Sequence, residues 1–276
     1  SANYDPAPMM NHDPAANEPE GLAWHPGSRL FVQHSTATSV TLRVAHTGGF
    51  ESEAVFAVAD DDRIRAELRP LAADRLAYLG LSAQVGADEA FYGLGEYFDS
   101  VNHRGKVRAM QLEATGALES TNNEAHVPIP FVTGTRGFGL FVESPYPAAF
   151  DVAKAEPDRV LATFGTGLAS SEGLVFHLFS AAHPLDVTRH YDAVTGQPRL
   201  PARWGLGPLV WRDENDDQAQ VEADLAAIRS LDLATSAIWI DRPYATGVNT
   251  FDFDAKKFPD AKGMVAKARA LGFRMS

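Results

Sequence analysis

The chain contains no cysteine among its 276 residues. That excludes disulfide frameworks and thiolate metal sites. Basic residues are also scarce: 24 Lys and Arg stand against 36 Asp and Glu, for a net charge of −12. This balance argues against nucleic acid and against anionic membrane surfaces as partners, since both call for a basic face. No apolar run approaches the length of a membrane span. The opening Ser-Ala-Asn-Tyr-Asp-Pro-Ala-Pro has neither the basic region nor the apolar core of a signal peptide, so none is expected in the sequence as numbered, whether the protein is cytoplasmic or exported with its signal removed. What is present, 45% apolar and 22% charged residues, is ordinary for a soluble globular protein with a large core and more than one domain.

Residues 1–21 are rich in Pro, Asn, Ala and Asp without periodicity and read as an N-terminal arm. Short β-like runs follow. Val40, Leu42 and Val44 alternate with Thr41 and Arg43, the pattern of a half-buried strand. Similar runs cover 30–33, 54–58, 76–81, 129–133, 137–143, 148–152, 160–164 and 174–179. Strands with turn signals at short intervals predict an all-β domain over 22–180, most simply a β-sandwich. Asp60-Asp61-Asp62 is read as a solvated turn rather than a metal site, because no further ligand pattern follows. Phe91-Tyr92-Gly93-Leu94-Gly95-Glu96 carries two glycines, but no helix follows to present amides to a phosphate. A bend with close backbone approach is the better reading, with Glu96 holding loop structure. The polar stretch between Asp99 and Pro130, including Glu119 to Glu124, is a long connection of the kind that is functional or disordered.

Residues 181–201 are expected to form a linker with a short helix over 183–191, and beyond it the texture changes. A strand over 206–211, a helix over 218–231, a strand over 237–241, a helix over 261–271 and a third strand from Phe273 predict the start of a parallel α/β domain over 202–276. Two and a half parallel strands with two helices neither close a barrel nor fill a doubly wound sheet, so a longer protein is expected. Within this part, the apolar run 237–240 stops at Asp241 and is followed by Arg242, Pro243 and Tyr244. Ligands of parallel α/β folds sit at the carboxyl ends of the strands, which makes Asp241 a site candidate. Capping of the turn around Pro243 is the competing reading.

Taken in order, several motifs resemble family 31 of the glycoside hydrolases, whose members include α-glucosidases, α-xylosidases and α-galactosidases. They are Phe91-Tyr92-Gly93-Leu94-Gly95-Glu96, Gly137-Phe138-Gly139-Leu140-Phe141, Leu200-Pro201-Ala202-Arg203-Trp204-Gly205-Leu206-Gly207, Trp211-Arg212, Asp241 with Tyr244, and Phe258-Pro259-Asp260. The resemblance implies a β-sandwich followed by a (β/α)8 TIM barrel that cleaves α-glycosidic bonds with retention, using two carboxyl groups roughly 5–5.5 Å apart. In the family both are aspartates on later barrel strands, so the catalytic pair is expected beyond Ser276. The substrate-binding residues that carry over are Asp241 and Tyr244, facing the sugar, with Arg242 at the rim. Trp211 and Arg212, at the end of the first barrel strand, carry over too, with barrel-mouth packing and an ion pair as their alternative reading. A carboxylate accepts paired bonds from sugar hydroxyls and an aromatic ring packs on a pyranose face. Many α-glucosidases of the family read Asp-Ile-Asp-Tyr where this chain has Asp241-Arg242-Pro243-Tyr244. The added cation suits an anionic or differently oriented sugar. No metal or organic cofactor is called for; the expected partner is an oligosaccharide or α-glycoside. The alternative from another class is a non-catalytic carbohydrate-binding or scaffold protein that keeps the sandwich.

Overall fold

The structure, a computed structural model, describes residues 23–60, 62–72, 76–97, 99–110, 127–166, 173–212, 215–241, 244–248 and 250–276. It divides into two compact units, Ser1–Gln197 and Pro198–Ser276.

The first unit is the expected sandwich. Its larger sheet holds β1 (Gly27–Ser35), β2 (Ser39–His46), β3 (Glu51–Asp60), β4 (Arg63–Pro70), β6 (Phe91–Gly95), β8 (Pro128–Gly134), β9 (Phe138–Glu143) and β12 (Leu174–Ser180), in the order β1-β2-β3-β4-β12-β9-β8-β6. The smaller sheet holds β5 (Tyr78–Gln84), β7 (Lys106–Met110), β10 (Ala148–Val152) and β11 (Arg159–Gly165), in the order β5-β11-β10-β7. Phe91, Val132, Leu140, Val142 and Phe176 of the larger sheet meet Ala148, Phe150, Val152 and Phe164 of the smaller one in a single buried cluster. Each fully buried large side chain of this kind stabilises the fold by about 1.5–3 kcal/mol.

The glycine-rich motifs are structural. Gly93, Leu94 and Gly95 have φ of 104°, 62° and 101°, and the β6–β8 register shifts between Gly93 and Gly95. This bulge turns Leu94 wholly into the core. In β9, a Cβ on Gly139 would lie 2.4 Å from Val187 Cγ1. Val187 belongs to helix α1 (Pro184–Thr195), which lies inside the stretch expected as linker. The helix packs on the sandwich through Val187 and Tyr191, with Tyr191 stacked on Phe131 at 4.3 Å.

Beside the bulge, buried His103 and Arg108 form a polar knot. Arg108 Nε donates to His103 Nδ1 (3.0 Å), and Arg108 Nη2 donates to Asp99 (2.7 Å). With Nδ1 accepting, His103 Nε2 carries the proton and donates to the Gly93 carbonyl (2.9 Å). A second proton on the ring would face the guanidinium. Burial first, then the Arg108 charge, push the His103 pKa down. The unfolded chain takes up a proton near its ordinary value of about 6.5, so below that pH the unfolded state binds more protons and stability falls. The melting temperature is therefore expected to drop between pH 7.5 and pH 5, and to drop less in His103→Gln. Equal pH slopes for the two proteins would contradict this assignment.

The second unit has three parallel strands, β13 (Leu209–Arg212), β14 (Ala237–Ile240) and β15 (Arg274–Met275), in that order. The first strand begins later than the sequence suggested: residues 203–206 form a 3₁₀ turn, and Pro208 has no N–H to give to a ladder. Helices α2 (Gln218–Ser230) and α3 (Ala261–Ala270) cover one face. Asp217 and Asp260 cap them by accepting from the backbone N–H of Gln220 and Gly263, both at 2.9 Å. Val221, Leu225, Met264 and Ala268 of the helices close over Ile238, Ile240, Phe258 and Phe273, with Val210 at the margin. Arg229 ties the amino-terminal side together, donating to the carbonyls of Leu233, Thr235 and Leu271 while its guanidinium lies 3.7 Å from the Phe273 ring centroid.

Candidate functional site

The parallel register decides which side chains can meet. Trp211 lies opposite Trp239, and Arg212 opposite Ile240. Side chains alternate along a strand, so Trp211 and Trp239 share the face that carries no helix, while Val210, Ile238 and Ile240 point into the helical core. Both indoles are about half exposed, at 55% and 53%, with ring centroids 6.1 Å apart and planes inclined by 42°. Asp241 follows β14 directly and, two residues past Trp239, emerges on the same side. Trp211 Nε1 donates to Asp241 Oδ2 at 3.2 Å.

The other expected residues lie elsewhere. Arg212 alternates to the opposite side, where Nη1 stands 3.3 Å from Asp224 Oδ2 on α2. The Tyr244 ring packs at the edge of the helical core, 5.1 Å from Phe253, and its backbone N–H donates to the Asp241 carbonyl (3.2 Å). Arg242, and the connection through Glu119 to Glu124, lie outside the described residues. Thus the structure joins Trp211 with Asp241, places Arg212 across the sheet and seats Tyr244 against the core.

Two features were not anticipated. Trp239 is one: its position two residues before Asp241 on a strand was the available signal, since period 2 puts both on one face. The second is the loop after Tyr244. Asp252 accepts from the Thr246 N–H (3.1 Å), Thr246 Oγ1 (2.7 Å) and Thr250 Oγ1 (2.5 Å). The bond from Thr250, followed by those from Thr246, draws the Asp252 carboxyl down to about 2. Within the clasp Phe251 has φ 55° and is 83% exposed. Nothing in the letters 246–252 signals a left-handed phenylalanine. Among the described residues no group of His, Asp and Glu is arranged to hold a metal ion, and no helix is long and apolar enough to cross a membrane.

Comparison with known proteins fits both units. Residues 31–151 match the Glycosyl hydrolase 31 N-terminal galactose mutarotase-like domain, and residues 198–276 match the Glycosyl hydrolases family 31 TIM-barrel domain. The chain is 25% identical to alpha-glucosidase 2 of Bacillus thermoamyloliquefaciens over 68% of its own length and 24% of that protein's. It is 24% identical to the alpha-xylosidase XylQ of Lactiplantibacillus pentosus over 73% of its own length and 26% of that protein's. The chain thus spans about a quarter of each of these relatives. The fold matches that of the GH31 dextranase of Flavobacterium johnsoniae, solved with glucose, at a TM-score of 0.73 and 15% identity, over 92% of this chain and 38% of that one. A sandwich with the family's N-terminal profile, followed by parallel strands with its barrel profile and a strand-terminal Asp241, places this chain in glycoside hydrolase family 31.

Proposed function

We propose that the chain is the amino-terminal part of an exo-acting, retaining α-glycosidase. The observation that carries this reading is Asp241, set at the carboxyl end of a parallel strand on the same face as the indoles of Trp211 and Trp239. Carboxylate and aromatic surfaces together suit a pyranose: the carboxylate accepts from hydroxyl pairs, and the ring faces cover the C–H side of the sugar. The nucleophile and the acid/base belong on barrel strands that follow Ser276, and the residues here bind and orient the sugar. The arginine at position 242 adds a cation next to Asp241 in the sequence and favours a sugar that is anionic or differently oriented from glucose. The alpha-glucosidase and alpha-xylosidase relatives support the α-linkage.

The test is to assay the intact protein and the 276-residue chain against aryl α-glucoside, α-galactoside, α-xyloside and α-N-acetylgalactosaminide. Cleavage by the intact protein alone is expected. Sugar binding without cleavage by either form would replace this reading with that of a carbohydrate-binding scaffold. Unchanged relative rates in Arg242→Ala would remove Arg242 from the specificity argument.

A further inference from the structure

The geometry points to Trp211 as a positioning residue that fixes the Asp241 carboxylate for sugar binding; this rests on the glycosidase reading above. The indole N–H donates and has no lone pair to offer a hydroxyl. Its bond to Asp241 Oδ2, at 3.2 Å, therefore orients an acceptor without competing for the sugar's own donors. Asp241 sits just past the end of β14, and the indole comes from the neighbouring strand in register. Trp211 is itself steadied on Trp239, 6.1 Å away. A carboxylate held this way keeps one rotamer, so hydrogen bonds to the sugar form without further loss of side-chain freedom. Arg212, the next residue, cannot take this part, because alternation sends it to Asp224.

A purely packing role for the indole predicts something different, and Trp211→Phe separates the two: it keeps a ring against Trp239 and removes the N–H. In the intact enzyme, losing one hydrogen bond to a charged group is expected to lower kcat/KM about tenfold, expressed in KM. In an Asp241→Ala background, which removes the acceptor, the same change is expected to lower it less than about twofold, because residues that act through one another are not additive. A loss of equal size in both backgrounds would overturn the proposal. The second readout does not need activity. In intact protein labelled with ¹⁵N-tryptophan, the Trp211 indole N–H signal, identified by its absence in Trp211→Phe, is expected to move upfield in Asp241→Ala. A Trp211 signal unmoved by that change overturns the proposal whatever the activity. A signal that moves in a protein that cleaves neither the four glycosides nor the aryl α-glycoside of an anionic sugar supports the Trp211–Asp241 contact and refutes the glycosidase reading instead.

Discussion

On the glycosidase reading proposed above, Asp241→Ala in the intact protein is expected to lower kcat/KM for its preferred α-glycoside by about 10²–10⁴, because two charge-assisted hydrogen bonds to sugar hydroxyls are each worth about 1.5–3 kcal/mol. The variant should fold normally. Asp241 is outside the β14 ladder, so the substitution breaks no strand pairing. The strand is held by Ile238 and Ile240 in the helical core, which the substitution does not touch. Steady-state kinetics together with a thermal melt decide the matter. A melting temperature within a few degrees of wild type with activity lost places Asp241 at the sugar. Retained activity would return Asp241 to the turn-capping role that the following Pro243 allows.

The second large effect is on stability. Gly95→Ala is expected to destabilise the sandwich by about 3 kcal/mol or more, through backbone strain and a forced separation of strands. An alanine Cβ at this position would lie 2.0 Å from the Val127 carbonyl oxygen and 3.0 Å from Ile129 N and Pro128 Cα. These are backbone atoms of the paired strand, and no side chain can swing aside to relieve them. The φ of 101° adds conformational strain for any residue with a Cβ. Relief requires moving β6 off β8, which would pull Leu94 out of the core. The melting temperature should fall by about 6–12 °C at the usual slope for a domain of this size. Gly49→Ala is the control. Its φ is 80°, but nothing lies within 4 Å of the new Cβ, so only the conformational part, about 1 kcal/mol, is expected there. Similar losses for the two variants would mean that the close approach of β6 to β8 is unimportant.

Much of the architecture was legible from local pattern. The alternation of Val40, Leu42 and Val44 marked a strand of the larger sheet. The spacing of Val221, Leu225 and Ile228 marked the buried face of α2, and Asp217 and Asp260 stand where caps are expected. These features depend on period, propensity and short-range hydrogen bonding, which neighbouring residues largely determine. Gly93 and Gly95 were legible as a close-approach bend for the same reason, whereas Gly139 was read only as part of a strand. What they approach, the Val127 carbonyl and Val187, lies far along the chain and could not be read.

The candidate site divides the same way. The sequence by itself determined that an acid ends the second barrel strand, because the apolar run 237–240 stops there. It also determined that Trp and Arg end the first strand. Only the tertiary structure decided which of them serves Asp241. Strand pairing in register sets Trp211 beside Trp239 and aims its N–H at the carboxylate, while alternation turns Arg212 to the helix side, where Asp224 neutralises it. Adjacent letters in the sequence thus stand on opposite faces of the sheet. The physical reason is the two-residue period of the pleat: it separates neighbours in sequence, and the hydrogen-bonded register brings together residues 30 positions apart.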